Sequence, residues 1–214
     1  MAIGPTVRAL FGPLEPRIAD LYRAMFFSVN ALAREIHRWA PAASILEVGC
    51  GEGALIQRVA ELYPTSLITG IDITPRVGRL YRGDRKRVSF HEATIHEFSD
   101  ERRDARFDLV ILCDLLHHVP LRMHPVLLRA SRNVMRSGGR FVLKDWESRF
   151  NIISFLAYCS DRVLTGDQVR YSKHNELREV ICDVFGPNSI ERELRLPPWR
   201  NNVAFFVRQG APGT

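Results

Sequence analysis

Three alternating glycines directly follow an apolar run, and this order constrains the fold more than any other feature of the chain. Residues 45–53 read Ile-Leu-Glu-Val-Gly-Cys-Gly-Glu-Gly. A buried strand that enters such a turn lets the backbone approach a ligand closely, because glycine has no Cβ. The apolar pattern resumes after Gly53 with helical spacing, so the free N–H groups at the start of that helix point at the turn. The pattern predicts a strand–turn–helix unit that binds a ligand on Gly49, Gly51 and Gly53.

Two acidic residues narrow the chemistry of that ligand. Glu47 lies two residues before the first glycine, where a carboxylate can accept hydrogen bonds from an ammonium group. Asp72 ends the next apolar strand, about twenty residues beyond Gly49, and an acid at that separation binds ribose hydroxyls in doubly wound folds. The spacing is G-x-G-x-G rather than the G-x-G-x-x-G of dinucleotide sites. This combination favours a zwitterionic ligand that carries a nucleoside over NAD.

At these residues the chain resembles the class I S-adenosylmethionine-dependent methyltransferases. The resemblance covers about residues 42–143 and includes a later strand, residues 107–113, followed by Asp114-Leu-Leu-His-His-Val119. It implies an α/β fold of Rossmann-like type, with a doubly wound, mostly parallel seven-stranded sheet. It also implies helices on both faces of the sheet and a last strand that runs antiparallel.

The resemblance further implies a set of positions that bind S-adenosylmethionine. Glu47 is expected to hold the methionine amino group, and Asp72 the ribose. Where the family often has Gly-Asp after its third strand, this chain has His91-Glu-Ala93, so an adenine contact is expected from Glu92 and from the backbone of Ala93. The predicted cofactor-binding residues are Glu47, Gly49, Cys50, Gly51, Gly53, Asp72, Ile73, Glu92, Ala93 and Cys113.

The residues that follow the fourth strand are the candidates for chemistry on the methyl acceptor. Ligands of open α/β sheets bind beyond the carboxyl ends of the strands, and that stretch contains Asp114, His117 and His118. Either histidine can act as a general base near neutral pH, or it can anchor the start of the next helix instead. Asp145 ends the fifth strand and is a further candidate to hold the acceptor. Methyl transfer depends mainly on alignment, and a base is needed only when the acceptor loses a proton.

The length of 214 residues suits one α/β domain. Ordinary βα alternation does not require the segment after the fifth strand, and the resemblance implies that this segment and the N-terminal helix cover an acceptor pocket. The predicted parts are an N-terminal arm and helix (1–41), a cofactor-binding core (42–145), a lid-like insertion (146–172), and a closing helix and strands (173–214).

Apolar periodicity predicts the individual elements. The predicted helices are 17–39, 52–63, 75–81, 121–135 and 173–185, and Ser137-Gly-Gly139 is expected to cap the fourth of them. The predicted strands are 44–49, 67–73, 88–92, 107–112, 140–144, 190–194 and 202–208.

Composition restricts partners and compartment. Four cysteines lack C-x-x-C spacing, so neither a metal site nor a disulfide is predicted. The net charge of +6 suits an anionic partner, but the arginines are spread along the chain and solvated helix faces explain them more simply. The apolar stretches are too short to span a membrane, and no signal-peptide order precedes them, so a cytoplasmic location is expected.

Several functions remain open at this point. A small-molecule methyl acceptor is favoured over nucleic acid, because the chain lacks the Asn/Asp-Pro-Pro-Tyr/Phe motif of adenine-methylating enzymes and the cysteine motif of 5-methylcytosine enzymes. RNA or protein methylation, a catalytically silent binding protein and a nicotinamide oxidoreductase are the alternatives. Intact glycines and acids argue against the silent protein. The sequence does not indicate an oligomeric state.

Overall fold

Seven strands form one sheet in the order β3-β2-β1-β4-β5-β7-β6 in the computed structural model, which describes residues 27–148 and 169–209. Neighbours among β1 to β5 pair in parallel, whereas β7 runs antiparallel to both β5 and β6. The strands are β1 (Ser44–Val48), β2 (Leu67–Asp72), β3 (Val88–Glu92), β4 (Phe107–Cys113), β5 (Met135–Trp146), β6 (Ile190–Arg195) and β7 (Asn202–Arg208). The predicted seven-stranded, mostly parallel sheet with an antiparallel last strand is confirmed.

Helices cover both faces of this sheet. They are α1 (Val29–Trp39), α2 (Ala54–Leu62), α3 (Ile95–Glu101), α4 (His124–Asn133) and α5 (His174–Phe185). Helices α1 and α2 pack together over one face, and α4 and α5 over the other. Adjacent residues of a central strand therefore enter different cores: Ile45 packs with the first pair and Leu46 with the second, and both are fully buried. Burial on both faces is the usual state of parallel strands.

Helix α1 begins later than the sequence indicates. The predicted helix over 17–39 is wrong at residues 27 and 28, because Ser28 has an extended backbone and its side chain accepts a hydrogen bond from the Ala31 N–H. A serine that caps in this way ends the helix on its N-terminal side. Residues 17–26 lie outside the described part of the chain, as do residues 1–16 of the predicted N-terminal arm.

One predicted helix is absent because of local backbone geometry, and one observed helix was missed. Residues 75–80 form turns rather than a helix, because Arg76 and Gly78 have left-handed φ values of 62° and 64°. Helix α3 was not predicted, although Thr94 and Glu97 form a capping box at its start, which is a sequence signal for a helix.

The segment that enters β5 also differs from prediction. Helix α4 ends at Asn133, and β5 begins at Met135 rather than at Arg140. The predicted helix cap, Ser137 to Gly139, lies inside β5, where the pairing with β4 shifts register. Gly138 has a φ of 71° at this irregularity. Glycine suits a β-bulge as well as a helix end, so the sequence signal has two meanings.

Most of the predicted insertion, residues 149–168, lies outside the described residues. Within residues 27–148 and 169–209, no helix is long and apolar enough to cross a membrane.

Candidate active site

The glycine turn joins β1 to α2 and leaves an open surface at the carboxyl end of the sheet. The N–H groups of Gly49 and Cys50 both donate to the Ile71 carbonyl, at 2.8 and 3.1 Å, and this ties the turn to β2. Gly51 has a left-handed φ of 51°, and a Cβ built on it would meet no atom within 4 Å. The turn therefore exposes backbone to a space that the described residues do not fill.

Asp72 orients this turn from the end of β2. Its two carboxylate oxygens accept hydrogen bonds from the Gly51 N–H at 2.7 Å and from the Thr74 N–H at 2.8 Å. Each oxygen keeps further acceptor capacity. Asp72 thus has a structural task that the sequence did not indicate, and its half-buried carboxylate still lies beside the open surface.

Glu47 is buried just before the turn, and one of its two carboxylate oxygens is unsatisfied. Its residue is 3% exposed, and its Oε2 has no hydrogen-bond partner among the described residues. Burial raises the pKa of Glu47 well above its ordinary value, the charges of Asp72 and Asp114 raise it further, and a backbone N–H at Ile56 opposes them. A buried carboxylate oxygen without a partner is unfavourable, and an ammonium group of a ligand would satisfy it.

The residues that were predicted to contact adenine lie together at the carboxyl ends of β2 and β3. Asp72 pairs in register with Glu92, and the Ala93 N–H donates to the Asp72 carbonyl at 3.0 Å. Ile73 is 71% exposed, and Glu92 is also exposed. An exposed isoleucine beside acidic groups offers an apolar face to a base.

This group of residues fits S-adenosylmethionine. Glu47 offers an acceptor for the amino group, Asp72 offers one for the ribose, and Gly51 leaves room for close contact with the backbone. The cysteines that were predicted to line the site are not reactive thiolates. Burial, followed by the neighbouring carboxylates, raises the pKa of Cys50 and of Cys113.

A histidine–carboxylate pair lies on the acceptor side. His117 Nδ1 is 2.5 Å from Asp145 Oδ1, the His117 N–H donates to Oδ2 at 3.3 Å, and the Trp146 N–H donates to Oδ1 at 2.7 Å. Burial raises the pKa of Asp145, but the charge and hydrogen bond of His117, with the Trp146 N–H, outweigh it and leave the pKa below its ordinary value. Asp145 therefore holds the His117 ring in one orientation.

Aromatic rings surround this pair. The ring centroid of His117 is 4.2 Å from that of His118 and 5.4 Å from that of Tyr171, and Tyr171 lies 6.4 Å from Trp146. The Arg170 N–H donates to the His117 carbonyl at 2.9 Å. The segment that returns from the insertion thus contacts the candidate base directly.

Asp114 is paired with a residue that the sequence analysis did not single out. Lys144 is 1% exposed, and its Nζ lies 2.5 Å from Asp114 Oδ1. Asp114 has a left-handed φ of 53°. The available signal was a lysine at the end of the apolar run Phe141-Val-Leu, because lysine is seldom buried unless it is paired.

The same residues include a group with the geometry of a metal site. One ligand atom each from Asp114, His117 and Asp145 lie within 4.8 Å of one another. Two of these residues already bond to each other, and Lys144 supplies a cation to the third. Internal pairing explains the cluster, and the expectation of no metal stays a prediction.

Comparison with known families identifies the same segment. Residues 45–139 match the family model described as "Methyltransferase domain". The chain is 30% identical over 106 residues to 27-O-demethylrifamycin SV methyltransferase of Amycolatopsis mediterranei, which covers 48% of this chain and 38% of the relative. It is also 30% identical over 107 residues to ubiquinone biosynthesis O-methyltransferase of Xanthomonas campestris, which covers 48% and 43%. The chain thus spans about two fifths of the length of these curated relatives.

Solved structures share the fold over most of the chain. A 1,6-didemethyltoxoflavin-N1-methyltransferase from Burkholderia thailandensis, solved with 1,6-didemethyltoxoflavin and S-adenosylhomocysteine, has a TM-score of 0.65 at 20% identity and covers 95% of this chain and 87% of that one. An O-methyltransferase family protein from the same species has a TM-score of 0.70 at 14% identity, over 96% and 60%. At these identities the likeness shows the fold.

Proposed function

We propose that this chain is a class I S-adenosylmethionine-dependent methyltransferase that transfers a methyl group to a small organic acceptor, because residues 45–139 match the methyltransferase family model and the fold is that of the solved methyltransferases. The cofactor is S-adenosylmethionine, which supplies an electrophilic methyl group on a positively charged sulfur. The chain's own residues bind it, align the acceptor and exclude water.

The observation that carries this proposal is the unsatisfied Oε2 of the buried Glu47 beneath the open turn at Gly51. A structural carboxylate in such a position would find a partner within the protein. The ammonium group of a ligand bound on the open turn at Gly51 would supply that partner to Glu47, and Asp72 lies close enough to raise the pKa of Glu47 and would accept from a ribose. A dinucleotide offers no ammonium group, which disfavours the oxidoreductase alternative.

The names of the relatives and the aromatic side chains near His117 both support a small acceptor. The relatives described above are named for O- or N-methylation of small molecules. Within this chain, the acceptor side brings Trp146 and Tyr171 together with the paired His117 and Asp145. Aromatic walls with a few polar groups suit a small organic ligand.

We assign roles to the predicted catalytic residues on this basis. Asp145 orients His117 through Nδ1 and stabilises a proton on its ring, so His117 is the general base when the acceptor loses a proton. His118 packs against the His117 ring and lines the same region. Asp114 and Asp145 end neighbouring strands, and both lie where an acceptor would meet the methyl group.

Calorimetric titration of the purified protein with S-adenosylmethionine, S-adenosylhomocysteine and NAD tests the cofactor. We expect binding of both sulfur ligands and none of NAD. A labelled-methyl assay with phenols, heterocyclic amines, carboxylic acids and RNA then tests the acceptor. Transfer to RNA alone would favour the nucleic-acid alternative, binding without transfer would favour a silent protein, and no binding of either sulfur ligand would refute the proposal.

A further inference from the structure

Lys144 is a fully buried lysine at the carboxyl end of the sheet. Its Nζ lies 2.5 Å from Asp114 Oδ1 and 3.8 Å from the ring centroid of Phe27. The ammonium group is thus held between a carboxylate and an aromatic face, with 1% of the side chain exposed. Lysine at such a place needs an explanation, because burial of its charge is costly.

Stability alone does not explain the pair. Buried ion pairs can often be replaced by apolar residues without loss of stability. Lys144 follows three apolar residues of β5, and an apolar residue in its place would continue that core. The pair also lies at the carboxyl ends of the parallel strands, where the ligand is expected, since Asp114 directly follows β4. Its position points to a function in the site.

Lys144 holds both the backbone and the side chain of Asp114. The Asp114 N–H donates to the Lys144 carbonyl at 2.9 Å, while Lys144 Nζ holds Oδ1. Asp114 meanwhile adopts a φ of 53°, which non-glycine residues seldom adopt. Strained backbone of this kind persists where its surroundings hold it, and it is frequent at functional sites. The other oxygen, Oδ2, lies 3.7 Å from Cys113 Sγ, and the side chain is 36% exposed.

Asp114 lies beside the glycine turn, because β1 pairs with β4 up to Val48 and Leu112, directly before Gly49 and two residues before Asp114. Its charge contributes to the raised pKa of Glu47, after burial and Asp72. The carboxyl ends of β1, β2 and β4 thus concentrate negative charge. The methyl donor and its demethylated product differ by one methyl group and by the positive charge on sulfur. A carboxylate near that sulfur attracts the donor and loses the attraction after transfer.

We propose that Lys144 is a positioning residue that directs the Asp114 carboxylate toward the donor's sulfonium, so that the site binds the charged donor more tightly than the neutral-sulfur product. This inference rests on the proposed function. Such a carboxylate also favours product release, because methyl transfer removes the positive charge on sulfur that Asp114 attracts. The competing explanation is that Lys144 acts only as a counter-charge and weakens donor binding.

The two explanations predict opposite effects of Lys144→Met. Loss of a positioning residue lets Asp114 turn away, so the ratio of donor affinity to product affinity falls by roughly five- to tenfold, as expected for one partly solvated charge interaction. Loss of a counter-charge raises the ratio instead. Asp114→Asn lowers the ratio in both explanations. Lys86→Met is the matched control, because Lys86 is exposed and lies on the connection before β3.

The experiment is calorimetric titration of S-adenosylmethionine and S-adenosylhomocysteine into the wild type, the two single variants, the double variant and the control. We expect a lower ratio in Lys144→Met, the same lower ratio in Asp114→Asn and in the double variant, and no change in Lys86→Met. An unchanged or higher ratio in Lys144→Met overturns the inference.

Folding of each variant is checked by thermal unfolding. If Lys144→Met does not fold, the neutral double variant decides, because charges that merely cancel would restore the wild-type ratio and overturn the inference. A double variant that matches Asp114→Asn supports it. Failure of the wild type to bind either ligand is a separate result, which refutes the proposed function and the inference with it.

Discussion

The amino and carboxyl ends of the parallel strands, called here the amino and carboxyl edges, hold carboxylates that differ in how far they are hydrogen-bonded within the chain. At the amino edge, Asp108 accepts hydrogen bonds from the N–H groups of Ala43 and Ser44, each at 2.9 Å, and from Ser44 Oγ at 3.0 Å, and it pairs with Arg136 at 3.0 Å. At the carboxyl edge, Glu47 is more deeply buried, and its Oε2 has no hydrogen-bond partner among the described residues. One carboxylate is satisfied within the chain, and the other has one oxygen without a hydrogen-bond partner among the described residues.

The pKa values express the same contrast. Burial raises the pKa of Asp108, but its hydrogen bonds with Ser44 and Ala43 and the charge of Arg136 outweigh burial and lower it. Burial and like charges raise the pKa of Glu47. A groove of about 530 Å³ also borders Asp108, so a concave surface is found at the amino edge as well. Concavity alone therefore does not distinguish the two ends of the strands.

The largest expected effect is the loss of donor binding in Asp72→Ala. The substitution removes an acceptor for the ribose and also releases the Gly51 N–H that it orients, so we expect the affinity for S-adenosylmethionine to fall about 100-fold, or about 3 kcal/mol. Calorimetric titration measures it. Asp104→Ala removes an exposed charge and is the control. Unchanged affinity would mean that Asp72 does not contact the cofactor.

Two glycines with similar backbone geometry, one at each edge, allow the two edges to be compared by the same substitution. Gly51 and Gly138 have φ values of 51° and 71°, and a Cβ built on either meets no atom within 4 Å. Replacement by alanine adds a comparable backbone cost, of order 1 kcal/mol, at both positions. We expect Gly51→Ala to weaken donor binding about tenfold or more, because its methyl group enters ligand space. Gly138→Ala should bind as the wild type does, and equal losses would make the turn merely structural.

Asp108→Asn should destabilise the fold without affecting the ligand. Asparagine cannot satisfy Ser44, Ala43 and Arg136 as a carboxylate does, so we expect a loss of about 1–2 kcal/mol in the free energy of unfolding. Urea denaturation measures the loss at pH 7. Because the pKa of Asp108 is lowered in the fold, its contribution is present above the unfolded pKa and disappears as the pH falls through the folded pKa. A loss of donor affinity in this variant would contradict the contrast between the edges.

Glu47→Gln should give the opposite and smaller change in stability. The folded pKa of Glu47 is raised, so its ionisation opposes folding once the pH exceeds the ordinary value of 4.5. We expect the variant to be more stable than the wild type by on the order of 1 kcal/mol at pH 8, with the difference vanishing toward pH 4. Urea denaturation across this range measures it, and donor affinity should fall. A less stable variant at pH 8 would indicate that Glu47 is satisfied within the protein.

The donor half of the site was predictable because its signals are local. Gly49, Gly51 and Gly53 require an unusual backbone, Asp72 ends an apolar run, and Glu47 interrupts the apolar run that leads into the glycines. Parallel topology then brings the ends of β1, β2 and β3 to one edge, as the structure shows. Contact between these residues and the cofactor stays a prediction until the titrations are done.

The acceptor half depends on pairing that no local pattern reveals. Lys144 gains its significance because it pairs with Cys113 across the sheet and thereby reaches Asp114. Asp145 and His117 are twenty-eight residues apart, and only the alignment of β4 with β5 makes them partners. The errors in the helices have another cause. The left-handed backbone of Arg76 cannot be read from its residue type, and the glycines near Gly138 suit a β-bulge as well as a helix end.

One hydrogen bond has a consequence for engineering. The Ser148 N–H donates to the Ser172 carbonyl at 2.9 Å, so the chain just after β5 and the chain just before α5 lie side by side. Whatever is spliced between those two serines need not stretch to close, and changing its length alters the closure entropy only slowly. A change in the length of this interval should therefore cost the sheet little, provided that Arg170 and Tyr171 are kept, because both contact His117.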